Sequence, residues 1–334
     1  MKITYIIGNG FDINLGLRTG YENFYNWYIG QSSKKDSDVV KKFKNEINNY
    51  IEKKGTEINW SDLESGLGKY SSEVSTDHFL ELYMDIATGL KTYLKGEYKF
   101  FDKTLYDEEK FRGFLEDPIS GYFNDARTKK LQEFVFNHRL DDEINIISFN
   151  YTNTIEDLLA DTQDGWKKKD GSYVKLKPVA HIHHTLSEGN IVFGVNDIQQ
   201  IANPSYQTNE AIQDLFVKPR ANDVLNMYVH IGAEYIIRDT NLFVLFGVSV
   251  GATDRKWWNL IGDRLASSSD ARMLWFVHDK SINMDFADFL YKDTERRLIP
   301  EFKSMTELSM ITADNMDDRI FVTLSDKMFQ MSKI

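Results

Sequence analysis

The sequence predicts an α/β fold: a mostly parallel sheet with crossover helices, a helical insertion after the first strand and a small β-hairpin region. Three observations lead there. Five short runs rich in β-branched and aromatic residues, Ile3 to Ile7, Ile144 to Phe149, Leu242 to Phe246, Met273 to Val277 and Ile320 to Leu324, have the continuous apolar character of strands buried on both faces. Each is followed by turn residues and then by helical periodicity, the pattern of strand, crossover and parallel strand. Between the first two runs, from about Gly20 to about Leu140, there is much helical patterning and no convincing strand.

The first run leads straight into Gly8-Asn9-Gly10-Phe11-Asp12. Strand, Gly-x-Gly and helix start together let backbone N–H groups and a helix N-terminus face a phosphate, with Gly10 allowing the backbone to approach the ligand. This makes the sheet read as Rossmann-like. An ordinary dinucleotide loop would carry a third glycine where Ile13 stands, and the next glycine is Gly16. A tight strand-to-helix turn with Asp12 as N-cap explains the same residues without a ligand.

The insertion follows. Val40, Phe43, Ile47 and Ile51 share one helical face, and Ser61-Asp62-Leu63-Glu64 fits a capping box, which would give Glu64 a structural role. Residues 1–20 plus 141–334 are read as a nucleotide-binding domain and 21–140 as a helical unit lying over the carboxyl edge of the sheet. Trp166 to Leu176, with Asp170-Gly171 in its middle, reads as a hairpin with a type I′ turn. Extended pieces Val179 to His183 and Ile191 to Val195 follow. In such sheets ligands lie beyond the carboxyl ends of strands, so Asn150 and Asn153, and Ser249, Thr253 and Asp254, are candidate contacts, although turn and cap chemistry would also account for them. In His181-Ile182-His183-His184, strand alternation turns His181 and His183 the same way, which suits either a metal pair or one catalytic imidazole.

Composition narrows the function. The 334 residues include no cysteine, which excludes thiolate chemistry and disulfides and fits a reducing compartment. A net charge of −11 disfavours extended nucleic-acid or anionic-membrane contact, and no apolar run reaches the roughly 18 residues of a membrane span. The expected location is cytosolic.

In their order along the chain, Ile6 to Asp12, Gly16 to Tyr21, Trp60 to Glu64, Ser148 to Thr154, His181 to His183, and Gly247 to Ser249 with Thr253-Asp254 resemble the bacterial abortive-infection AbiH family, which is distantly similar to the sirtuin-type NAD-binding fold. The resemblance implies NAD or a related nucleotide as ligand or substrate, with no metal expected. It implies nucleotide contacts from Gly8, Asn9, Gly10, Phe11, Asp12, Thr152, Gly247, Ser249 and Asp254, and catalytic roles for Asn150 and His183. Asp62, Glu64 and His181 are implied contributors to the cleft. Two positions depart from the sirtuin-like pattern: His184 stands where Gly is usual, and Thr152 where Asp is usual. There is no four-cysteine zinc module. Three functions follow: an NAD glycohydrolase of phage defence answering to a phage-derived trigger, a metal-dependent phosphoester hydrolase using His181 and His183 with Asp12 or Asp254, or a nucleotide-sensing module. A homo-oligomer is left open.

Overall fold

The computed structural model describes residues 1–121, 126–138, 142–162, 164–225, 228–278, 287–324 and 328–331. Eight strands form one mixed, mostly parallel sheet: β1 (Lys2–Ile7), β2 (Asp142–Ser148), β3 (Gly165–Lys167), β4 (Tyr173–Leu176), β5 (Ala180–His181), β6 (Leu242–Phe246), β7 (Arg272–Phe276) and β8 (Ile320–Thr323). Their order is β3-β4-β2-β1-β6-β7-β8, with β5 also pairing β2. Only the β3–β4 pair is antiparallel.

Alternation along the central strands decides what each face buries. Ile3, Tyr5 and Ile7 of β1 and Leu242 and Val244 of β6 pack with Phe111, Leu115 and Leu131 from the helices Glu108–Glu116 and Ala126–His138. Ile6, Phe243 and Leu245 point the other way, onto Ala233 and Ile237 of Val229–Asp239 and Trp258 and Ile261 of Arg255–Ser267. With both faces covered there is no polar alternation, and each fully buried aliphatic side chain contributes about 1.5–3 kcal/mol.

A third core lies apart from the sheet. Helices Tyr21–Gly30, Asp38–Ile51, Leu63–Tyr70 and Thr76–Tyr98 enclose Phe24, Phe43, Trp60 and Phe79. The face read from the sequence is present: Val40, Phe43 and Ile47 are buried and Ile51 is partly buried. The inserted stretch therefore divides, its first part forming a helical lobe and residues from Tyr106 onward covering the sheet. No strand occurs among its described residues.

Two local expectations are corrected. The hairpin turn is not type I′, which needs positive φ at both central residues. Gly171 has φ +90° but Asp170 is not among the positive-φ residues, Gly171 N–H donates to Lys168 O, and Lys168 N–H donates to Ser172 O. This is a three-residue loop with glycine in the left-handed position. Ile191 to Val195 is not a strand of the sheet. Its alternating apolar residues fill the helical lobe, with Ile191, Phe193 and Val195 buried there and only an isolated bridge from Val195 to Val217.

Candidate functional site

The register brings three turns together. Ile7 pairs with Ser148 of β2 and with Phe246 of β6, so Gly8, Phe149 and Gly247 leave the sheet side by side. From β1 the chain passes to β2 on one side, and from β6 to β7 on the other. Diverging connections of this kind leave a crevice at the carboxyl edge. A cavity of about 330 Å³ occupies it, and the helical lobe closes it with Tyr21, Asp62, Glu64, Leu90 and Leu94.

Gly8, Asn9, Asp12, Asp62, Glu64, Asn150, Thr152, His183, Gly247, Ser249 and Asp254 all line this cavity. The structure does not bring Gly10, Phe11 or His181 to its wall. Phe11 is fully buried against Phe111, Phe246 and Phe329. Gly10 approaches backbone of its own chain: an added Cβ would lie 2.5 Å from Gly247 Cα, and Gly10 N–H donates to Gly247 O. That corrects the reading of Gly10 as the point of close ligand approach, and its glycine is required by loop-on-loop contact with Gly247, itself at φ +67°.

Asp12 is not a helix cap. It lies inside the helix Gly10–Asn14, whose N-cap position is Asn9. Its buried carboxylate accepts hydroxyl hydrogens from Thr152 at 2.6 Å and Thr154 at 2.7 Å, tying the β1 turn to the β2 turn. Burial raises its carboxyl to about 6 against the opposing pull of those two bonds. Asn9 in turn clasps Thr19, its Nδ2 donating to Thr19 O and its Oδ1 accepting the hydroxyl.

Asn150 is the outstanding side chain of the wall. It is 3% exposed and makes no well-formed hydrogen bond at Oδ1 or Nδ2, its amide lying beside the Asp12 carboxylate, whose ionised form it favours, whereas buried amides are almost always fully bonded. Phe149 beside it stacks on Trp258 at 5.5 Å, and Trp258 Nε1–H donates to Gly251 O, fixing the β2 and β6 turns against each other.

The histidines separate. β5 ends at His181, and the backbone bends before any further alternation, with His184 at φ +62°. His184 thus adopts the left-handed conformation that glycine favours. His181 faces Asn150 O at 3.1 Å and Glu156, and although burial pulls it down, the bond and charge of Glu156 leave it raised. His183 instead has Nε2 at 3.2 Å from Asp254 Oδ1, its ring against Phe149, and Nδ1 buried without a partner. Burial and then the Lys218 charge lower it.

Lys218 is the residue that sequence reasoning missed. Its Nζ donates to Asp254 Oδ1 at 2.7 Å and to Glu64 Oε2 at 2.9 Å, and Glu64 Oε1 accepts Gly194 N–H. Burial works against the charge of Lys218, but its two carboxylates hold it well above the ordinary range. Burial likewise opposes the ionised form of Asp254, and Lys218 and His183 hold it well below. For Glu64 burial prevails and raises it. The capping-box role of Glu64 is thereby corrected: Asp62 caps the helix through Glu64 and Ser65 N–H. Among the described residues no group of three or more His, Asp or Glu side chains is placed to hold a metal ion. Pro219 in the first helical turn was a readable signal of a helix start there, but nothing in the sequence marked Lys218 as buried.

Fold and site together define an α/β protein with an acidic cleft at the carboxyl edge of a mostly parallel sheet, closed by a helical lobe. Among the described residues no helix is long and apolar enough to cross a membrane. The family model described as Bacteriophage abortive infection AbiH matches residues 4–277, a span that includes every residue of the cavity wall. The chain belongs to that family, and membership implies a role in abortive infection of bacteriophage. Among curated proteins there is no significant match.

Proposed function

We propose that the cleft binds NAD and hydrolyses its bond between nicotinamide and ribose, and that this depletes the cofactor during phage infection. The observation that carries the reading is Asn150, a buried amide at the cavity wall that makes no well-formed hydrogen bond at either end and has the Asp12 carboxylate beside it. Such a group costs stability unless a ligand satisfies it, about 1–3 kcal/mol for each unsatisfied buried polar group. Ribose hydroxyls or a placed water offer the donor and acceptor it lacks. The likeness of the glycine turn, Asn150 and His183 to the sirtuin-type arrangement supports the same substrate.

In the proposed reaction the C1′–N bond breaks heterolytically, its electron pair leaves with the nicotinamide ring, and an oxocarbenium-like ribosyl centre forms. Carboxylates of Asp12 and Asp62 on the wall favour that positive charge. Water held by Asn150 attacks C1′, and its proton passes to Nδ1 of His183, whose Nε2 side is held by Asp254. The lowered imidazole is unprotonated at neutral pH and ready to accept it. The test is incubation of the purified protein with NAD and separation of products, with and without a chelator. Nicotinamide released equally in both supports the reading, chelator-sensitive phosphoester cleavage refutes it, and tight binding without turnover reduces it to a nucleotide sensor.

A further inference from the structure

Lys218 opens the helix Lys218–Val224 and is 4% exposed. Its backbone is pinned to the helical lobe, Lys218 N–H donating to Val195 O beside the Val195–Val217 bridge. Two carboxylates from different parts of the fold converge on its ammonium. Glu64 belongs to the helical lobe and Asp254 to the turn after β6. A buried ammonium is costly to desolvate, and two anionic partners at hydrogen-bond distance offset that cost.

The decisive detail is which oxygen is shared. Asp254 Oδ1 is 2.7 Å from Lys218 Nζ and 3.2 Å from His183 Nε2. One carboxylate oxygen thus faces both a permanent cation and an imidazole, and the cation holds it more closely. Among the described residues the other titratable groups near His183 include Glu64 behind Lys218, Tyr151 at a ring distance of 6.3 Å, His181 and His184 on its own segment, Lys256, which shares a small cavity with it, and His230, which burial pushes down to about 3.

We propose that Lys218 is a positioning residue for the hydrolysis proposed above, on which this inference rests. It shares the Asp254 oxygen that faces His183 and, as the closer cation, weakens that oxygen's pull on a second ring proton, which leaves the imidazole a neutral proton acceptor. Without Lys218 the Asp254 carboxylate still has the His183 ring at 3.2 Å, and the two form an imidazolium–carboxylate pair that cannot take a proton from water. Glu64 brings the helical lobe into the same arrangement, because the ammonium that governs Asp254 is held from the lobe side as well.

The experiment is an NMR titration of the His183 ring in the full-length protein, with the resonance assigned by its loss in His183→Gln. In the parent, His183 should titrate below the free-imidazole value of about 6.5, and a midpoint at or above it overturns the proposal without any variant. Lys218→Met should move the midpoint upward by about one unit or more, because a nearby like charge has gone. Lys218→Arg keeps the charge and should leave the midpoint close to the parent's. An unmoved midpoint in folded Lys218→Met overturns the proposal, and if that variant does not fold, the parent titration decides. Turnover of NAD, read in parallel, should lose kcat in Lys218→Met near neutral pH and recover at higher pH, with KM little changed. If the parent does not cleave NAD the hydrolase reading fails, while the ring titration still tests what Lys218 does to His183.

Discussion

Replacing Asp12 by Asn should stabilise the protein by an amount that grows with pH. Asp12 is 1% exposed, and burial raises its carboxyl from 3.8 to about 6 in spite of the Thr152 and Thr154 hydroxyls. A carboxyl raised in the folded state is one whose ionised form the fold disfavours. Its contribution to stability is fully present below the unfolded value of 3.8 and is lost as pH rises through about 6. That gap of about 2 pH units is worth about 3 kcal/mol, roughly half of it lost by pH 5. Asn keeps an oxygen for one threonine hydroxyl and offers an N–H to the other, which turns to accept it. Urea unfolding of parent and variant at several pH values measures the difference. The account expects near equality at about pH 4 and a variant more stable by about 3 kcal/mol at pH 8. Parallel stability curves for the two proteins across that range would refute the placement of a desolvated carboxylate at the cleft.

Three further outcomes follow from the same geometry. Gly10→Ala places a Cβ 2.5 Å from Gly247 Cα, so overpacking should cost about 1–3 kcal/mol, and an unchanged melting temperature would show that the two turns do not touch. Asn150→Ala removes an amide that makes no well-formed hydrogen bond and only lies beside the Asp12 carboxylate, so its melting temperature should stay close to the parent's, and a clear loss would show that the amide is firmly bonded within the protein. Phe79→Ala opens the core of the helical lobe between Tyr206 at 5.0 Å and Phe216 at 5.3 Å. It should cost about 3–5 kcal/mol, with hydrogen exchange rising first in the lobe, and equal loss of protection in the sheet would contradict a separate core.

The sheet was legible because its central strands are buried on both faces and therefore spell continuous apolar runs. Leu242 to Phe246 is β6 residue for residue, and the other four runs differ from their strands by one or two residues at one end or at both. Ile191 to Val195, read as an extended piece, joins no sheet because its alternating apolar residues serve a segment threaded into the helical core. The wall residues on the turns after β1, β2 and β6 were readable from their position beyond strand ends. The network around His183 was not. Lys218 and Glu64 are 154 residues apart in sequence, and a lysine before a proline carries no mark of the two carboxylates that will surround it. The histidines illustrate the same limit: alternation put His181 and His183 on one face, but β5 stops at His181, and each ring finds a different carboxylate.

The central claim is tested most directly by NAD turnover in folded Asn150→Ala, His183→Ala and His181→Ala beside the parent. The account predicts nicotinamide release by the parent and a loss of about 100-fold or more in the Asn150 and His183 variants. His181→Ala, altered outside the cavity wall, should retain most activity. Undiminished release in both Asn150→Ala and His183→Ala would contradict the account.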